Sequence, residues 1–383
     1  MQGVAILGAT GSVGESTLAV LDQHPERFRA VVLTGHRNVA ALEALVQQRR
    51  PDVAVLSHGK LPSRRTRTGT EWRSGSAALV EAATHPDVDI VVNALVGAAG
   101  LAPTLAALRS GKRVALANKE SLVCGGALVL DAAREGGGEL IPVDSEHSAI
   151  LQCIKACSPS EIERVVLTAS GGPFREWNRS SLARVRPVDA LRHPTWDMGA
   201  KITIDSATLV NKALEIIEAH FLFGLGYDRI AAVVHPQSII HSLVEMIDGS
   251  VLAQLGFPTM EVPIVYALTY PDRIPYATRR FDPVAAGALT FEPVREGDFP
   301  AFVLGVSAGR SGGAYPAVFN AANEVAVAAF LRERLGFLEI GAAVAAALDR
   351  WPGGQITDVE SVLAADRWAR EATATFIEKH ALC

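Results

Sequence analysis

A strand that runs directly into a glycine loop and a helix is the feature that most restricts the fold of this chain. The apolar run VAIL at 4–7 is followed by GATGSVG, in which Gly8, Gly11 and Gly14 recur at every third position. Glycine lets the backbone turn sharply and approach a phosphate without a Cβ in the way. The helix that follows directs its positive N-terminal end at the same point. The loop therefore predicts a dinucleotide site, and a purely structural turn is the alternative.

The rest of the chain suggests how this unit is extended. Apolar strand runs alternate with amphipathic helical patterns over residues 1–143, which predicts a Rossmann-like, doubly wound parallel sheet with helices on both faces. Short alternating strand patterns over 144–272 predict an α+β domain with a mixed or antiparallel sheet. The Pro-rich stretch 273–305 is interpreted as a connector. Residues 306–383 carry apolar stripes at helical spacing, which predicts a C-terminal helical domain.

Charge and hydropathy limit the partners of the chain. The formal net charge is −5, so no basic excess favours nucleic acid. The uncharged stretch 90–108 approaches the length of a membrane span, but Asn93, two glycines and Pro103 interrupt it, which favours a strand, a turn and a helix. The four cysteines show no zinc pattern and are expected to be reduced thiols. With no signal peptide recognised, we expect a cytoplasmic protein without a membrane partner.

The residues after the second predicted strand distinguish the two nicotinamide cofactors. An NAD site usually places a carboxylate there to bind the ribose 2′-hydroxyl. Here AVVLTG at 30–35 is followed by His36, Arg37 and Asn38, with no carboxylate. The planar guanidinium of Arg37 can pair with a 2′-phosphate. The sequence therefore favours NADPH, and a solvated surface arginine is the alternative.

Two groups of acidic residues suggest a metal ion. Asp144 and Glu146 lie two residues apart in VDSEHS, so an extended backbone would direct both side chains to one face. Glu215 follows Asn211 and Lys212 at helical spacing, which places the three on one side of a helix. Three carboxylates, with no His or Cys assigned as a ligand, suit Mg²⁺ or Mn²⁺. A surface Glu215 paired with Lys212 is the alternative.

The same central region offers groups for an anion. Ser206, Asn211 and Lys212 combine a hydroxyl, an amide and an ammonium near a predicted helix start, which Asp205 or Ser206 is expected to cap. KITID, immediately before it, is a candidate strand. The segment SGGPF at 170–174 adds a hydroxyl and flexible glycines. The following RHPTWDMG carries His, Trp and Met in a Gly- and Pro-containing loop, which is either a lid that excludes water or an ordinary long connection.

These stretches together resemble one family. The sequence is similar to the 1-deoxy-D-xylulose 5-phosphate reductoisomerases through essentially its whole length. The matching stretches are GATGSVG, ANKESLV, PVDSEHSA, ASGGPFR, HPTWDMGAKITIDSATLVNKALEIIEAHFLF, HPQSIIHSLVEMIDGSVLAQLG and NAANEVAV. The resemblance implies a homodimer in which 1–143 binds NADPH and 144–272 binds metal and substrate under a lid at 170–200.

The implied reaction is the rearrangement and reduction of 1-deoxy-D-xylulose 5-phosphate to 2-C-methyl-D-erythritol 4-phosphate in non-mevalonate isoprenoid synthesis, with NADPH and one Mg²⁺ or Mn²⁺. Carbon–carbon cleavage and rejoining would precede hydride transfer. The alternatives are an NADP-dependent semialdehyde or hydroxy-acid dehydrogenase, which would not need three metal carboxylates, and a non-catalytic NADP sensor, which would need neither these nor a lid.

The resemblance also implies a role for each matching side chain. The cofactor is expected to contact Thr10, Gly11, Ser12, Val13, Gly35, Arg37, Asn38, Asn118, Glu120 and Gly199. The substrate is expected to contact Lys119, Ser145, Glu146, Ser170, His193, Trp196, Ser206, Asn211, Lys212 and Glu215, with Ser170, Ser206, Asn211 and Lys212 at its phosphate. The metal ligands are expected to be Asp144, Glu146 and Glu215, which join Lys119 and His193 as catalytic residues. Met198 is expected to pack behind the lid. Related sequences often read glycine-lysine-asparagine at 36–38, so His36 is a departure and Arg37 preserves the charge.

Overall fold

The chain folds into two compact units. The computed structural model describes residues 1–62, 69–196 and 198–380. The first unit contains Met1–Leu122, Gly126–Ser148 and Thr259–Thr278, and the second contains Val123–Gly125, Ala149–Pro258 and the chain from Arg279 onward. The structure thus groups residues differently from the four segments read off the sequence, since 259–278 returns to the first unit and the C-terminal helices belong to the second.

A parallel sheet forms the centre of the first unit. Its seven strands lie in the order β4-β3-β2-β1-β5-β6-β7, and every neighbouring pair is parallel. The strands are β1 (Gln2–Leu7), β2 (Phe28–Gly35), β3 (Val53–Leu56), β4 (Glu71–Ser74), β5 (Ile90–Asn93), β6 (Arg113–Leu116) and β7 (Glu139–Pro142). The helices that begin in this unit are α1 (Ser12–Gln23), α2 (Val39–Arg49), α3 (Ser76–Ala83), α4 (Leu101–Arg109), α5 (Lys119–Gly125), α6 (Ala127–Gly136), α7 (Ser145–Ile154) and α12 (Glu261–Thr269).

The strand order determines where this unit binds a ligand. Strand β1 pairs with β2 on one side and with β5 on the other, so the order of strands reverses beside β1. Ligands of open parallel sheets bind at such a point, outside the carboxyl ends of the strands. The glycine loop follows β1 and therefore lies at this edge. The parallel sheet agrees with the predicted fold class, and the edge strand β4 was not predicted.

A mixed sheet and a helical layer form the second unit. The sheet has the order β11-β10-β8-β9-β12, in which β8 and β9 are parallel and the other pairs are antiparallel. Its strands are β8 (Ile162–Ala169), β9 (Ile230–Val234), β10 (Ile240–Met246), β11 (Val251–Leu255) and β12 (Glu292–Pro293). The helices are α8 (Arg179–Leu182), α9 (Pro187–Ala190), α10 (Ala200–Ala207), α11 (Val210–Phe223), α13 (Pro283–Ala286), α14 (Pro300–Ser311), α15 (Tyr315–Leu331), α16 (Phe337–Arg350) and α17 (Val359–His380).

One hydrophobic cluster connects the layers of the second unit. Ile217 on α11, Phe319 and Phe330 on α15 and Val344 on α16 are buried in the same cluster, together with Val165 of β8. Burying a large apolar side chain stabilises a fold by about 1.5–3 kcal/mol. Helix α11, which carries Asn211, Lys212 and Glu215, is therefore held firmly by apolar packing.

Three local expectations were wrong. KITID forms part of helix α10 rather than a strand, and its buried Thr203, Ile204 and Ala207 lie on one helical face. Packing of that face overrides the strand preference of β-branched residues. VDSEHS is not extended, because α7 begins at Ser145. Neither Asp205 nor Ser206 caps the helix that carries Glu215. The N-cap of that helix, α11, is Leu209, which has a left-handed φ of 59°.

The uncharged stretch at 90–108 has the predicted structure. It forms β5, a short 3₁₀ turn at Gly97–Gly100 and α4. Throughout the residues that the structure describes, no helix combines the length and the apolar character that crossing a membrane requires.

Candidate active site

The glycine loop forms a tight corner at the carboxyl end of β1. Gly8 has a φ of +92°, and a Cβ there would lie 2.6 Å from the carbonyl oxygen of Ala94. A Cβ on Gly14 would lie 2.4 Å from the carbonyl oxygen of Gly8. Both positions therefore require glycine. Gly11 caps α1 without a side-chain hydrogen bond, so the exposed first turn directs backbone N–H groups outward, as a pyrophosphate site needs.

The loop after β2 presents a positive charge at the same sheet edge. Gly35 is buried at the end of the strand, whereas His36, Arg37 and Asn38 are exposed. The Asn38 side chain caps α2 by accepting a hydrogen bond from Ala41 N at 3.1 Å. Partial burial, and then the charge of Arg37, lower the pKa of His36. A neutral His36 beside Arg37 leaves the guanidinium as the cation of this loop.

A buried polar cluster holds the segment between β5 and α5. Asn118 caps α5 by accepting from Ser121 N at 3.0 Å, and its amide donates to Leu95 O at 2.9 Å. The same amide lies 2.8 Å from the Glu120 carboxylate. Asn118 and Glu120 are thus buried supports of the loop that follows β5, and their predicted cofactor contact stays a prediction.

Sequence reasoning missed one member of this cluster. Asn93 is the last residue of the apolar strand β5, and its amide donates to Thr104 Oγ1 at 2.7 Å and to Gly100 O at 3.0 Å. It is completely buried. The asparagine that ends the otherwise apolar strand IVVN is the signal that could have revealed it, because a buried amide requires hydrogen-bond partners.

Two carboxylates and a lysine meet at the start of α7. Lys119 Nζ lies 2.9 Å from Asp144 Oδ2, and both side chains are mostly buried. Asp144 and Glu146 each offer a carboxylate oxygen, and these atoms lie within 4.8 Å of each other. Ser145 Oγ donates to the Glu146 carboxylate. The first unit thus provides two acidic oxygen ligands at a helix N-terminus, a donor set that fits a hard divalent cation.

In the second unit, one histidine connects two serines. His193 Nε2 lies 3.0 Å from Ser170 Oγ and 3.1 Å from Ser206 Oγ. Its Nδ1 accepts the backbone N–H groups of Thr195 at 3.1 Å and Trp196 at 2.9 Å. Because backbone N–H groups can only donate, Nδ1 carries no proton, and the proton of the neutral ring is on Nε2.

Burial keeps His193 neutral over the ordinary pH range. It lowers the pKa of His193 from 6.5 to about 4. A histidine whose pKa is lowered by folding stabilises the fold fully above pH 6.5, and this contribution is lost as the pH falls towards 4. We therefore expect the free energy of unfolding in urea to fall less from pH 6.5 to pH 4 in His193→Gln than in the unsubstituted protein. An identical pH dependence would contradict the neutral assignment.

Three further predicted residues lie together on α11. The amide of Asn211 donates to the Glu215 carboxylate, whose other oxygen accepts from Lys212 Nζ. The side chains of Lys212 and Glu215 are only 4% and 1% exposed. Lys212 and Glu215 therefore do not form the surface ion pair that was the alternative to a metal site. A buried carboxylate with a neighbouring ammonium and amide is typical of a site that binds ions.

The predicted lid segment has little regular structure around its polar residues. Short helices α8 and α9 precede His193, and α10 begins after Gly199. Trp196 and Met198 are half-buried. Asp197 lies outside the described residues. A Cβ added to Gly199 would meet no atom within 4 Å, so this position has open space, and both its predicted cofactor contact and lid closure stay predictions.

These features define a class of protein. The parallel sheet has a glycine loop at its switch point and an arginine beyond its second strand, and the second unit holds a buried cluster of Asn, Lys and Glu side chains. These features are those of an NADP-dependent oxidoreductase with a separate substrate unit. The family model of 1-deoxy-D-xylulose 5-phosphate reductoisomerase matches residues 4–126, and models of its C-terminal domains match 140–223 and 255–372. The chain belongs to the 1-deoxy-D-xylulose 5-phosphate reductoisomerase family, as the resemblance predicted.

Similar proteins cover nearly all of the chain. The 1-deoxy-D-xylulose 5-phosphate reductoisomerase of Synechococcus sp. (strain JA-2-3B'a(2-13)) is 49% identical, over 99% of this chain and 98% of its own. That of Ralstonia nicotianae is 49% identical, over 98% of each. A crystal structure of DOX-P reductoisomerase in complex with NADPH, fosmidomycin and magnesium matches with a TM-score of 0.92 at 41% identity, over 99% of this chain and 98% of that one. The Zymomonas mobilis enzyme in complex with NADPH matches with a TM-score of 0.90 at 43% identity, over 98% and 99%.

Proposed function

We propose that this protein converts 1-deoxy-D-xylulose 5-phosphate to 2-C-methyl-D-erythritol 4-phosphate, using NADPH and a divalent cation. The observation that carries the proposal is the extent of the similarity: a relative 49% identical aligns with 99% of the chain, not with the dinucleotide-binding unit alone. A semialdehyde or hydroxy-acid dehydrogenase would share only the first unit with these relatives, so that alternative is not favoured. We further propose that the protein acts as a cytoplasmic homodimer.

NADPH is proposed to bind along the carboxyl edge of the first sheet. The uncapped start of α1, with Thr10, Gly11, Ser12 and Val13, fits a pyrophosphate because its N–H groups and helix dipole both favour an anion. The exposed loop Gly35–Asn38 offers Arg37 to a 2′-phosphate. The buried pair Asn118 and Glu120 holds the neighbouring loop in shape. Gly199 is also proposed to contact the cofactor.

The cation is proposed to bind Asp144, Glu146 and Glu215. Mg²⁺ and Mn²⁺ both suit this all-oxygen donor set. When bound, the cation would polarise the substrate's carbonyl, and NADPH would supply the hydride for the reduction. Lys119 contributes by pairing with Asp144, whose carboxylate oxygen lies 2.9 Å from the Lys119 ammonium. Ser145 contributes by donating to Glu146, which orients its oxygen.

The substrate's phosphate is proposed to bind in the second unit. His193 directs an Nε2–H donor towards the space between Ser170 and Ser206, and Asn211 and Lys212 supply an amide and a cation. Holding the phosphate fixes the orientation of the sugar far from its reacting carbons. Trp196 and Met198, which are half-buried in the same segment as His193, are proposed to exclude water when the segment closes.

A single assay tests the proposed function. The purified protein is mixed with NADPH and 1-deoxyxylulose 5-phosphate, with Mg²⁺, with Mn²⁺ or with a chelator, and NADPH oxidation is followed by absorbance. We expect oxidation with either cation and none with the chelator. Absence of NADPH oxidation with both cations would overturn the proposal. NADPH oxidation with a series of semialdehydes, and not with 1-deoxyxylulose 5-phosphate, would favour the dehydrogenase.

Arg37 is expected to determine the choice of cofactor. Replacing Arg37 with Ala should raise the KM for NADPH by about 10–100-fold, as expected for the loss of a charge-assisted pair with phosphate worth roughly 1.5–3 kcal/mol. The KM for NADH should change little, since NADH has no 2′-phosphate. The matched control is His36→Ala, which removes the neighbouring exposed side chain without removing the charge. Equal losses for both cofactors would contradict this role of Arg37.

A further inference from the structure

A buried carboxylate lies beside the phosphate site, on the same helix. Asp205 precedes Ser206 in α10 and is only 1% exposed. Its Oδ2 lies 2.8 Å from Lys201 Nζ, one turn earlier on the helix. Its Oδ1 accepts a hydrogen bond of 2.7 Å from Asn323 Nδ2 on α15. A buried carboxylate is stable only when it is paired and hydrogen-bonded, so these two contacts fix Asp205.

Asn323 belongs to a helix that is mostly apolar and firmly held. It is completely buried on α15. The next residue, Glu324, pairs with Arg370 of α17, which also pairs with Asp366. The link from Asn323 to Asp205 joins residues 118 positions apart in the chain. It thus fixes α10 against the C-terminal helices at a point one residue away from Ser206.

The position of α10 sets the geometry of the phosphate site. Ser206 Oγ faces His193 Nε2 at 3.1 Å. A Cβ on Gly172 would lie 2.8 Å from the backbone oxygen of Ser206, so the loop that carries Ser170 is pressed against the end of the helix. Since α10 also continues directly from the proposed lid at Gly199, a shift of the helix would move Ser206 and the base of the lid together.

We propose that Asn323 is a positioning residue for phosphate recognition: it holds Asp205, and through it α10, so that Ser206 and His193 meet the anion in register. Asn323 itself does not contact the substrate. This inference rests on the proposed function, because it assumes that the anion at Ser170, His193 and Ser206 is the phosphate of the substrate.

The test compares two asparagines of the same helix. Asn320 is also completely buried, but its amide donates to Glu324 at 3.0 Å, and no hydrogen bond from it to Asp205 is found within the described chain. Asn323→Ala is expected to raise the KM for 1-deoxyxylulose 5-phosphate about tenfold, because a shift of α10 would misplace Ser206 relative to the phosphate, and a misplacement of about 1 Å can cost up to a factor of ~100. The KM for NADPH and kcat should change by less than about threefold. Asn320→Ala should leave all three parameters close to those of the unsubstituted protein.

A second readout requires no turnover. Inorganic phosphate should raise the unfolding temperature of the unsubstituted protein, and Asn323→Ala should need about tenfold more phosphate for the same rise. If Asn323→Ala does not fold, Lys201→Met removes the other partner of Asp205 at a more exposed position, and the same phosphate shift is expected. The proposal would be overturned if the unfolding temperatures of Asn323→Ala and Asn320→Ala rose equally with phosphate. It would also be overturned if Lys201→Met responded to phosphate as Asn320→Ala does. Inactivity of the unsubstituted protein in the oxidation assay would instead overturn the proposed function, while the phosphate titration still reports on Asn323.

Discussion

Replacement of Glu215 with Gln is expected to lower kcat about a thousandfold while leaving NADPH affinity within about twofold. Gln keeps the shape of the side chain but removes the negative charge that a divalent cation requires. A Lewis acid contributes several kcal/mol to a reaction of this kind, and each ~1.4 kcal/mol is a factor of ten. NADPH affinity should persist because the proposed dinucleotide site uses residues of the first unit and Gly199, not α11.

The variant also removes one partner of a buried ion pair, so stability must be measured beside activity. Breaking such a pair typically costs about 3–5 kcal/mol, and Lys212 is only 4% exposed. Kinetics should therefore be run well below the unfolding temperature of the variant. Glu245→Gln makes the same chemical change at the carboxylate that pairs with Arg164 at 2.7 Å, and it should retain full turnover. Metal-dependent turnover that survives Glu215→Gln would contradict the ligand assignment.

Local sequence signals predicted most strands of the first unit, although not the edge strand β4, because these strands are determined by neighbouring residues. Gly8 and Gly14 lie where a Cβ would collide with backbone atoms, so the fold requires these glycines and the sequence reveals them. The alternation of apolar strands with helices similarly predicts a parallel sheet. The strand predicted at KITID was wrong because distant residues determine its structure. Ile204 is buried by residues far away in the chain. This packing cannot be recognised in the sequence, and it makes a strand-like pattern helical.

The sequence predicts which ions and cofactor the candidate site would bind, but not the tertiary hydrogen bonds that hold its side chains in place. The residue types at Arg37, Asp144 and Glu215 alone predict a phosphate and a hard cation. The hydrogen bond of Asn323 to Asp205 spans 118 residues and leaves no spacing signal. The neutral state of His193 likewise depends on burial and on two backbone N–H groups that a loop directs at Nδ1. Such tertiary features determine how well a site works, and they emerge only when the chain has folded.

Gly172→Ala is expected to be the most damaging substitution outside the proposed ligands, raising the KM for the phosphorylated substrate about a hundredfold or more. Two effects combine at this position. Gly172 has a φ of +66°, where a side chain costs about 1 kcal/mol. The new Cβ would also lie 2.8 Å from Ser206 O and 3.2 Å from Ala207 Cα, so the loop and α10 must separate. Moving bound groups by about 1 Å can cost a factor of ~100 in rate.

Gly224→Ala separates these two effects. Gly224 ends α11 with a φ of +64°, nearly the value at Gly172, but a Cβ there would meet no atom within 4 Å. The Gly224→Ala variant should therefore lose about 1 kcal/mol of stability, while its KM for the phosphorylated substrate stays unchanged. Urea unfolding and steady-state kinetics on both variants, with inorganic phosphate as a competing ligand, distinguish strain from displacement. If Gly172→Ala binds phosphate as Gly224→Ala does, contact between the Gly172 loop and α10 does not set the phosphate geometry. If only Gly172→Ala loses affinity for phosphate, recognition of the phosphate depends on the close approach of the Gly172 loop to α10. No side-chain substitution at Ser170 or Ser206 can reproduce that contact between two backbone segments.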